Sequence, residues 1–203
     1  MTRRKRLFDL VCALVLAIPV LPLSLVIAAL LLAVQGRPVF HIAERMRSPT
    51  EAFGLVKFRT MVPKAGDSGV SGQDKAHRIT PLGRALRRRR LDELPQLWNI
   101  VKGDMSFVGP RPPLREYVER FPDLYAAVLR SRPGVTGLAT LVFKDREAAL
   151  LARCGTAEET DAVYCRVCVP RKAALDLIYQ RAPSLCWDLL LMSATVFSRL
   201  PRR

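Results

Sequence analysis

The sequence predicts an α/β protein, mainly helical, in which an apolar N-terminal membrane segment precedes a small basic domain of short strands and helices. Three observations predict it. Residues 10–34 carry no charged side chain, and that length of helix, at about 1.5 Å per residue, matches a bilayer's hydrocarbon core. From Gln35 onward the pattern changes to short mixed runs separated by Gly- and Pro-rich turns. The 203 residues suit one such domain and rule out a multidomain machine.

Composition narrows the partners. Half the residues are hydrophobic and a quarter charged, which excludes both disorder and a polytopic bundle. The net charge of +15 calls for a polyanion: nucleic acid, an anionic membrane surface or phosphorylated substrates. Five scattered cysteines, an odd number, argue for a reducing compartment without a disulfide frame. Cys165 and Cys168 form a lone C-x-x-C that lacks half the ligands of a zinc site, so they read as small apolar residues on a partly buried element.

Residues 1–36 form the first unit. Arg3 to Arg6 precede the apolar run, and Pro19 and Pro22 near its middle each remove an amide donor, so a break is predicted there. Both flanks are basic, +3 within residues 1–34 and +12 after them, which favours the cytoplasmic side for both. The run is too long for a signal peptide, with no A-x-A after it, and too uniformly apolar for a core helix of so small a domain. Taken alone, the segment leaves a re-entrant hairpin and a kinked span equally open.

Residues 37–203 form the second. Strands are predicted over 38–42 and 53–58, and a loop long enough to be a flap over 61–78. Thr80-Pro81 starts a helix through Arg90 whose five arginines (Arg84 and Arg87 to Arg90) suit lipid headgroups, at about 1 kcal/mol each. A helix over 93–101 follows with Asp92 as its cap, then a loop over 103–112, helix over 114–129 and a rigid loop over 131–137. Residues 171–200 are helical with an interruption at Pro183; 185–200, with Trp187 near its start and Arg199, Arg202 and Arg203 at its end, suits the bilayer interface.

The chemistry concentrates at Asp92 and Glu93. Adjacent carboxylates repel and raise one pKa unless Mg²⁺ or arginine holds both ionised; one so held can attack phosphorus while its neighbour acts as base. Lys57 and Arg59 alternate along a strand and so share a face. Arg111 and Arg132, set among Pro and Gly, offer planar forks suited to phosphate. A membrane-tethered nucleic-acid module would share the charge, but aromatics are 7% and no RNA-binding, zinc-finger or helix-turn-helix spacing occurs. A bare scaffold would leave the dyad without a purpose.

Five blocks then carry a resemblance: Lys5-Arg6-Leu7-Phe8-Asp9; Lys57-Phe58-Arg59-Thr60-Met61; Leu91-Asp92-Glu93-Leu94-Pro95-Gln96-Leu97-Trp98-Asn99; residues 102–112; and Arg132-Pro133-Gly134-Val135-Thr136-Gly137. The chain resembles the bacterial sugar transferases, monotopic phosphoglycosyl transferases that move a phospho-sugar from a nucleoside diphosphate sugar to polyprenol phosphate. The resemblance implies that Asp92 attacks the sugar-bearing phosphorus of a UDP-sugar and UMP leaves. Glu93 then helps deprotonate polyprenol (undecaprenyl) phosphate, and Mg²⁺ sits at the dyad on Asp92. It adds Gly134, Asp176 and Asp188 to the Lys57, Arg59, Arg111 and Arg132 set for phosphate and nucleotide. It implies a re-entrant hairpin broken at Pro19 and Pro22, held in lipid through residues 3–34, and a catalytic domain on the cytoplasmic face of the bacterial inner membrane. That is the place of a first membrane step in exopolysaccharide or lipopolysaccharide synthesis. A homodimer stays open. Departures occur at Leu21 (Ser is common), at Arg47, Thr50 and Glu51 in the first hairpin turn, and after Gly137, where residues 138–147 imply altered substrate recognition.

Overall fold

In the computed structural model, which describes residues 1–63 and 73–197, the apolar run forms one helix, α1 (Arg3–Gln35), its first turn capped by the Thr2 side chain accepting from the Lys5 amide. It is long and apolar enough to cross a membrane. The helical run passes Pro19 and Pro22 without interruption, so what the prolines introduce lies within one helix and does not divide it in two. Two prolines three residues apart each delete one amide donor, and the bonds around them keep the remaining turns together.

Each end of α1 is fastened to the domain. Near the start, Lys5 Nζ lies 3.2 Å from Asp9 Oδ1 and 2.8 Å from Asp188 Oδ2, and the Tyr179 hydroxyl donates to Asp188 Oδ1 at 2.5 Å. Arg6 donates to the carbonyls of Ile100 and Val101, both at 2.6 Å, supplying partners to a helix terminus that lacks its own. At the other end, Arg59 donates to the carbonyls of Gln35 (2.6 Å), Gly36 (2.9 Å) and Arg37 (3.3 Å). Ala13 packs into the core with Leu55 and Ile100, and Ile27 and Leu31 with Phe58 and Leu86. Between these anchors the helix stands clear: Leu14, Ile18 and Leu25 are 74%, 77% and 72% exposed.

Strands β1 (Phe40–Met46) and β2 (Ala52–Phe58) pair antiparallel, with Phe40 opposite Phe58 and Met46 opposite Ala52. The unusual turn residues close it themselves: Arg47 Nε meets Glu51 Oε2 at 3.0 Å, and the Arg47 amide donates to the Glu51 carbonyl at 2.9 Å. A 3₁₀ helix at Gln73–Arg78 occupies part of the predicted loop; positions 64–72 lie outside the described residues. Helix α2 (Pro81–Arg88) starts as predicted, with Thr80 accepting from the Gly83 amide at 3.0 Å, but ends two residues early.

Helix α3 (Gln96–Lys102) is shorter than predicted, and Asp92 does not cap it: Pro95 stands at its entrance while Leu91–Glu93 form a separate 3₁₀ turn. Asn99 ties α3 to β2, accepting from the Val56 amide (3.0 Å) and donating to the Gly54 carbonyl (2.8 Å). The two predicted loops each hold a three-residue strand, β3 (Ser106–Val108) and β4 (Gly134–Thr136), paired in parallel. This pairing is non-local, so no local pattern announced it. Gly134 is required there, since a Cβ would collide with the Gly109 backbone.

Helices α4 (Arg115–Arg120) and α5 (Pro122–Val128) divide the predicted 114–129 helix at Phe121, with Pro122 opening the second. Helix α6 (Leu138–Leu151) lies where no element was expected. Helix α7 (Ala157–Val163), a π-helical turn at Tyr164–Cys168 and α8 (Val169–Arg181) follow one another, and α9 (Leu185–Phe197) comes after Pro183. Arg199, Arg202 and Arg203 lie outside the described residues. The core joins Met46, Tyr117, Tyr125, Phe143, Tyr164 and Cys168, so Cys168 is the buried packing residue expected of it.

Asp188, expected at the substrate, is instead the buried partner of Lys5 and Tyr179. Asp188→Ala leaves Lys5 with Asp9 as its only acid among the described residues and deprives the buried Tyr179 hydroxyl of its acceptor, and is expected to cost about 2 kcal/mol of stability. A lowered thermal midpoint in detergent with an unchanged donor KM is the expected signature. An intact midpoint with a raised KM would return Asp188 to the substrate.

Candidate active site

The site is built on the 3₁₀ turn between α2 and α3. Arg90 precedes it with a left-handed backbone (φ 56°), uncommon for a residue with a Cβ. That conformation folds its guanidinium over the turn, with Nη2 2.7 Å and Nε 3.1 Å from Glu93 Oε2 and Nη2 3.2 Å from the Val135 carbonyl of β4. Lys57 from the end of β2 and Arg111 from the loop after β3 each reach Glu93 Oε1 at 3.0 Å. Glu93 therefore has both oxygens engaged by three cations from three parts of the chain.

The two neighbouring carboxylates diverge electrostatically. Burial pushes Glu93 upward, but Arg111, Lys57 and Arg90 together hold it well below the usual carboxylate range. Asp92 is pushed up, by burial first and by Glu93 second, with Lys57 and Arg87 opposing. Among the described residues no cation lies within ion-pair distance of Asp92, although it too is buried. Burial and the neighbouring Arg111 bring Lys57 down to about 8, despite Glu93 and Asp92.

Asp92 and Glu93 open on a cavity of about 1070 Å³ that Lys57, Arg87, Arg111 and Asp176 also line. Of the predicted residues Asp92, Glu93, Lys57, Arg59, Arg111, Gly134 and Asp176 all line this one cavity. Burial pushes Asp176 to about 7. Arg59 also lines the cavity, but its guanidinium is engaged by the carbonyls that end α1, because β2 stops at Phe58 and the alternation with Lys57 stops with it. Arg132 is corrected, since it does not line the cavity; the Arg132–Gly134 backbone is what packs against Gly109.

Several cavity residues were missed, among them Arg45, Arg87 and Arg90. Arg87, assigned to headgroups, instead donates to Thr60 Oγ1 (2.8 Å) and faces the cavity; Arg90 is likewise taken from the basic face by Glu93. Arg45 also lines the cavity, its pKa lowered by burial and by Arg111. The hairpin register could have found it, because His41 pairs with Lys57 and Arg45 lies on the His41 face.

Magnesium takes one or two carboxylates plus phosphate oxygens and water. Asp92 fits that demand; Glu93, with both oxygens engaged, does not. No cluster of three His, Cys, Asp or Glu side chains occurs among the described residues, and of the two adjacent carboxylates Asp92 is the one left to hold such an ion.

The site thus joins a carboxylate pair and its basic side chains to a domain that carries one long apolar N-terminal helix, and comparison with known proteins gives its family. The chain belongs to the bacterial sugar transferase family, whose profile matches residues 1–202. It is 37% identical over 145 residues to the UDP-N-acetylgalactosamine-undecaprenyl-phosphate N-acetylgalactosaminephosphotransferase of Aeromonas hydrophila, covering 68% of this chain and 34% of that protein. It is 38% identical over 151 residues to the exopolysaccharide production protein ExoY of Rhizobium meliloti, covering 66% of each. With the undecaprenyl-phosphate glucose phosphotransferase of Komagataeibacter xylinus it shares 33% identity over 205 residues, 95% of this chain and 35% of the relative. The chain thus spans from about a third to about two thirds of the length of these relatives.

Proposed function

We propose that this chain transfers a sugar-1-phosphate from a UDP-sugar to undecaprenyl phosphate and releases UMP. The observation that carries it is Asp92: a buried carboxylate, free of ion pairs among the described residues, beside three cations that Glu93 holds at the cavity. The names of the relatives supply the donor and acceptor classes.

In the first step an Asp92 oxygen attacks the sugar-bearing phosphorus. The bond from that phosphorus to the bridging oxygen breaks, and UMP departs with the electron pair. Lys57 and Arg111 neutralise the charge on the transferring group. In the second, an oxygen of the lipid phosphate attacks the same phosphorus and the bond to Asp92 breaks, which restores the carboxylate. A magnesium ion bound by Asp92 would add charge neutralisation on the phosphoryl oxygens. Glu93 is read as the anchor of the cations rather than a proton acceptor, because its depressed pKa makes it a weak base. A monoalkyl phosphate with a second pKa of about 6 is already largely dianionic at neutral pH.

Quenching the enzyme after exposure to UDP-sugar alone should leave a phospho-sugar adduct on Asp92, read by peptide mass spectrometry. UMP release without any adduct at residue 92 would overturn the covalent route.

The same reading makes α1 re-entrant, with both ends and the domain on the cytoplasmic face of the inner membrane. A straight helix would hold residues 6 and 35 about 43 Å apart. Yet residue 6 is tied to α3 and residue 35 to the residue after β2, and Asn99 keeps α3 and β2 in contact. A bend at the Pro19–Pro22 apex reconciles these ties. Tags at both termini should be reachable from the cytoplasm, and protection of the N-terminal tag would restore a spanning helix.

A further inference from the structure

The cavity is also lined by elements that the phosphoryl chemistry does not use. Thr140, Lys144, Glu147, Ala148 and Leu151 recur at helical spacing along one face of α6. Val169, Lys172, Ala173 and Asp176 do the same along α8. Tyr125 and Val128 of α5 complete the floor, and the π-helical turn carries Tyr164 into the space. The lobe is polar in a particular way: its walls mix donors and acceptors. Lys172 Nζ lies 2.9 Å from Glu147 Oε1 and 3.4 Å from the Tyr164 hydroxyl. Asp176, 9% exposed, is met by the backbone of Ala139 but by no cation at ion-pair distance among the described residues, which leaves a buried acceptor turned to the cavity. Arg111 joins this lobe to the dyad, its charge sustained by Glu93 above all and by Glu147 and Tyr164 more weakly.

We infer that the lobe between α6 and α8 holds the sugar ring of the donor, with Asp176, Lys172, Glu147 and Tyr164 reading its hydroxyl or acylamino substituents. The inference rests on the transfer reading above. In that reaction the nucleotide must leave and the lipid phosphate must arrive while the phospho-sugar stays in place. The part that stays belongs among the α5, α6 and α8 residues of the cavity lining, and the exchange belongs at the Asp92–Glu93 turn with its cations. Carboxylate, ammonium and phenol groups set around an aromatic and aliphatic floor are the chemistry that recognises a polyhydroxyl ring. A site built to hydrogen-bond a hydroxyl also rejects the ligand that lacks it.

Equilibrium binding of UDP, UDP-glucose, UDP-galactose and UDP-N-acetylgalactosamine to the full chain in detergent with Mg²⁺ tests this, alongside UMP release. Asp176→Asn keeps the shape and removes the charge. Ala148→Leu fills the lobe from an exposed helix position, so that folding is not at stake. Each variant should weaken the tightest-binding UDP-sugar about tenfold or change the order among the three, with UDP affinity kept within twofold. Equal weakening of UDP and the UDP-sugars would assign the lobe to the nucleotide and overturn the inference, as would no change in either. A wild type that binds UDP-sugars with the expected selectivity but releases no UMP would instead overturn the transfer reaction and leave the lobe standing.

Discussion

Asp92→Asn is expected to lower UMP release at least about a thousandfold, because it replaces the attacking oxygen with an amide that cannot form the phosphorus bond. The variant should fold at least as well as the wild type. Burial and Glu93 raise the Asp92 pKa, so the ionised group is held at a cost that grows as pH rises through its folded pKa. Asparagine removes that cost, and the thermal midpoint near pH 7 should be equal or higher. A dead but stable enzyme separates chemistry from folding. If the Asn variant released UMP at the wild-type rate, Asp92 would not be the nucleophile.

Glu93→Ala should act in the opposite manner, on stability as well as on rate. Glu93 is the common partner of Lys57, Arg90 and Arg111, and removing it leaves three neighbouring cations uncompensated, at a cost of about 3 kcal/mol. The loss is pH-dependent. A carboxylate whose folded pKa is depressed contributes stability above its unfolded pKa, near 4.3, and loses it as pH falls through the folded value. The difference between wild type and variant should therefore be full at pH 7 and shrink in strong acid. Lys57 titrates at about 8 with Glu93 beside it, and without Glu93 its pKa drops further. The alkaline limb of kcat/KM, expected near pH 8 in the wild type, should then move to lower pH. An unchanged midpoint and an unchanged limb in Glu93→Ala would show that Glu93 does not organise the cations.

Much of this site was legible from the chain. Asp92, Glu93, Lys57 and Arg111 stand in short blocks whose residue types already speak of phosphoryl chemistry, and the structure brings all four to one cavity. What could not be read was which neighbour each cation would choose. Arg59 differs from Lys57 by two positions, yet strand β2 ends between them, so one side chain turns to Glu93 and the other to the end of α1. Asp176 and Asp188 were equivalent acids in the sequence. Twelve residues apart on different helices, one lines the cavity and the other locks Lys5.

By itself the sequence determined the apolar N-terminal helix, the start of α2 at Thr80-Pro81, and the carboxylate pair with its basic surroundings, because these depend on composition and on spacings of a few residues. The tertiary structure alone decided the parallel pairing of β3 with β4, the continuity of α1 through its prolines, and the division of labour between Asp92 and Glu93. Each of those depends on groups far apart in the chain, and an electrostatic field or a backbone ladder is set by distance in space, which the order of residues does not contain.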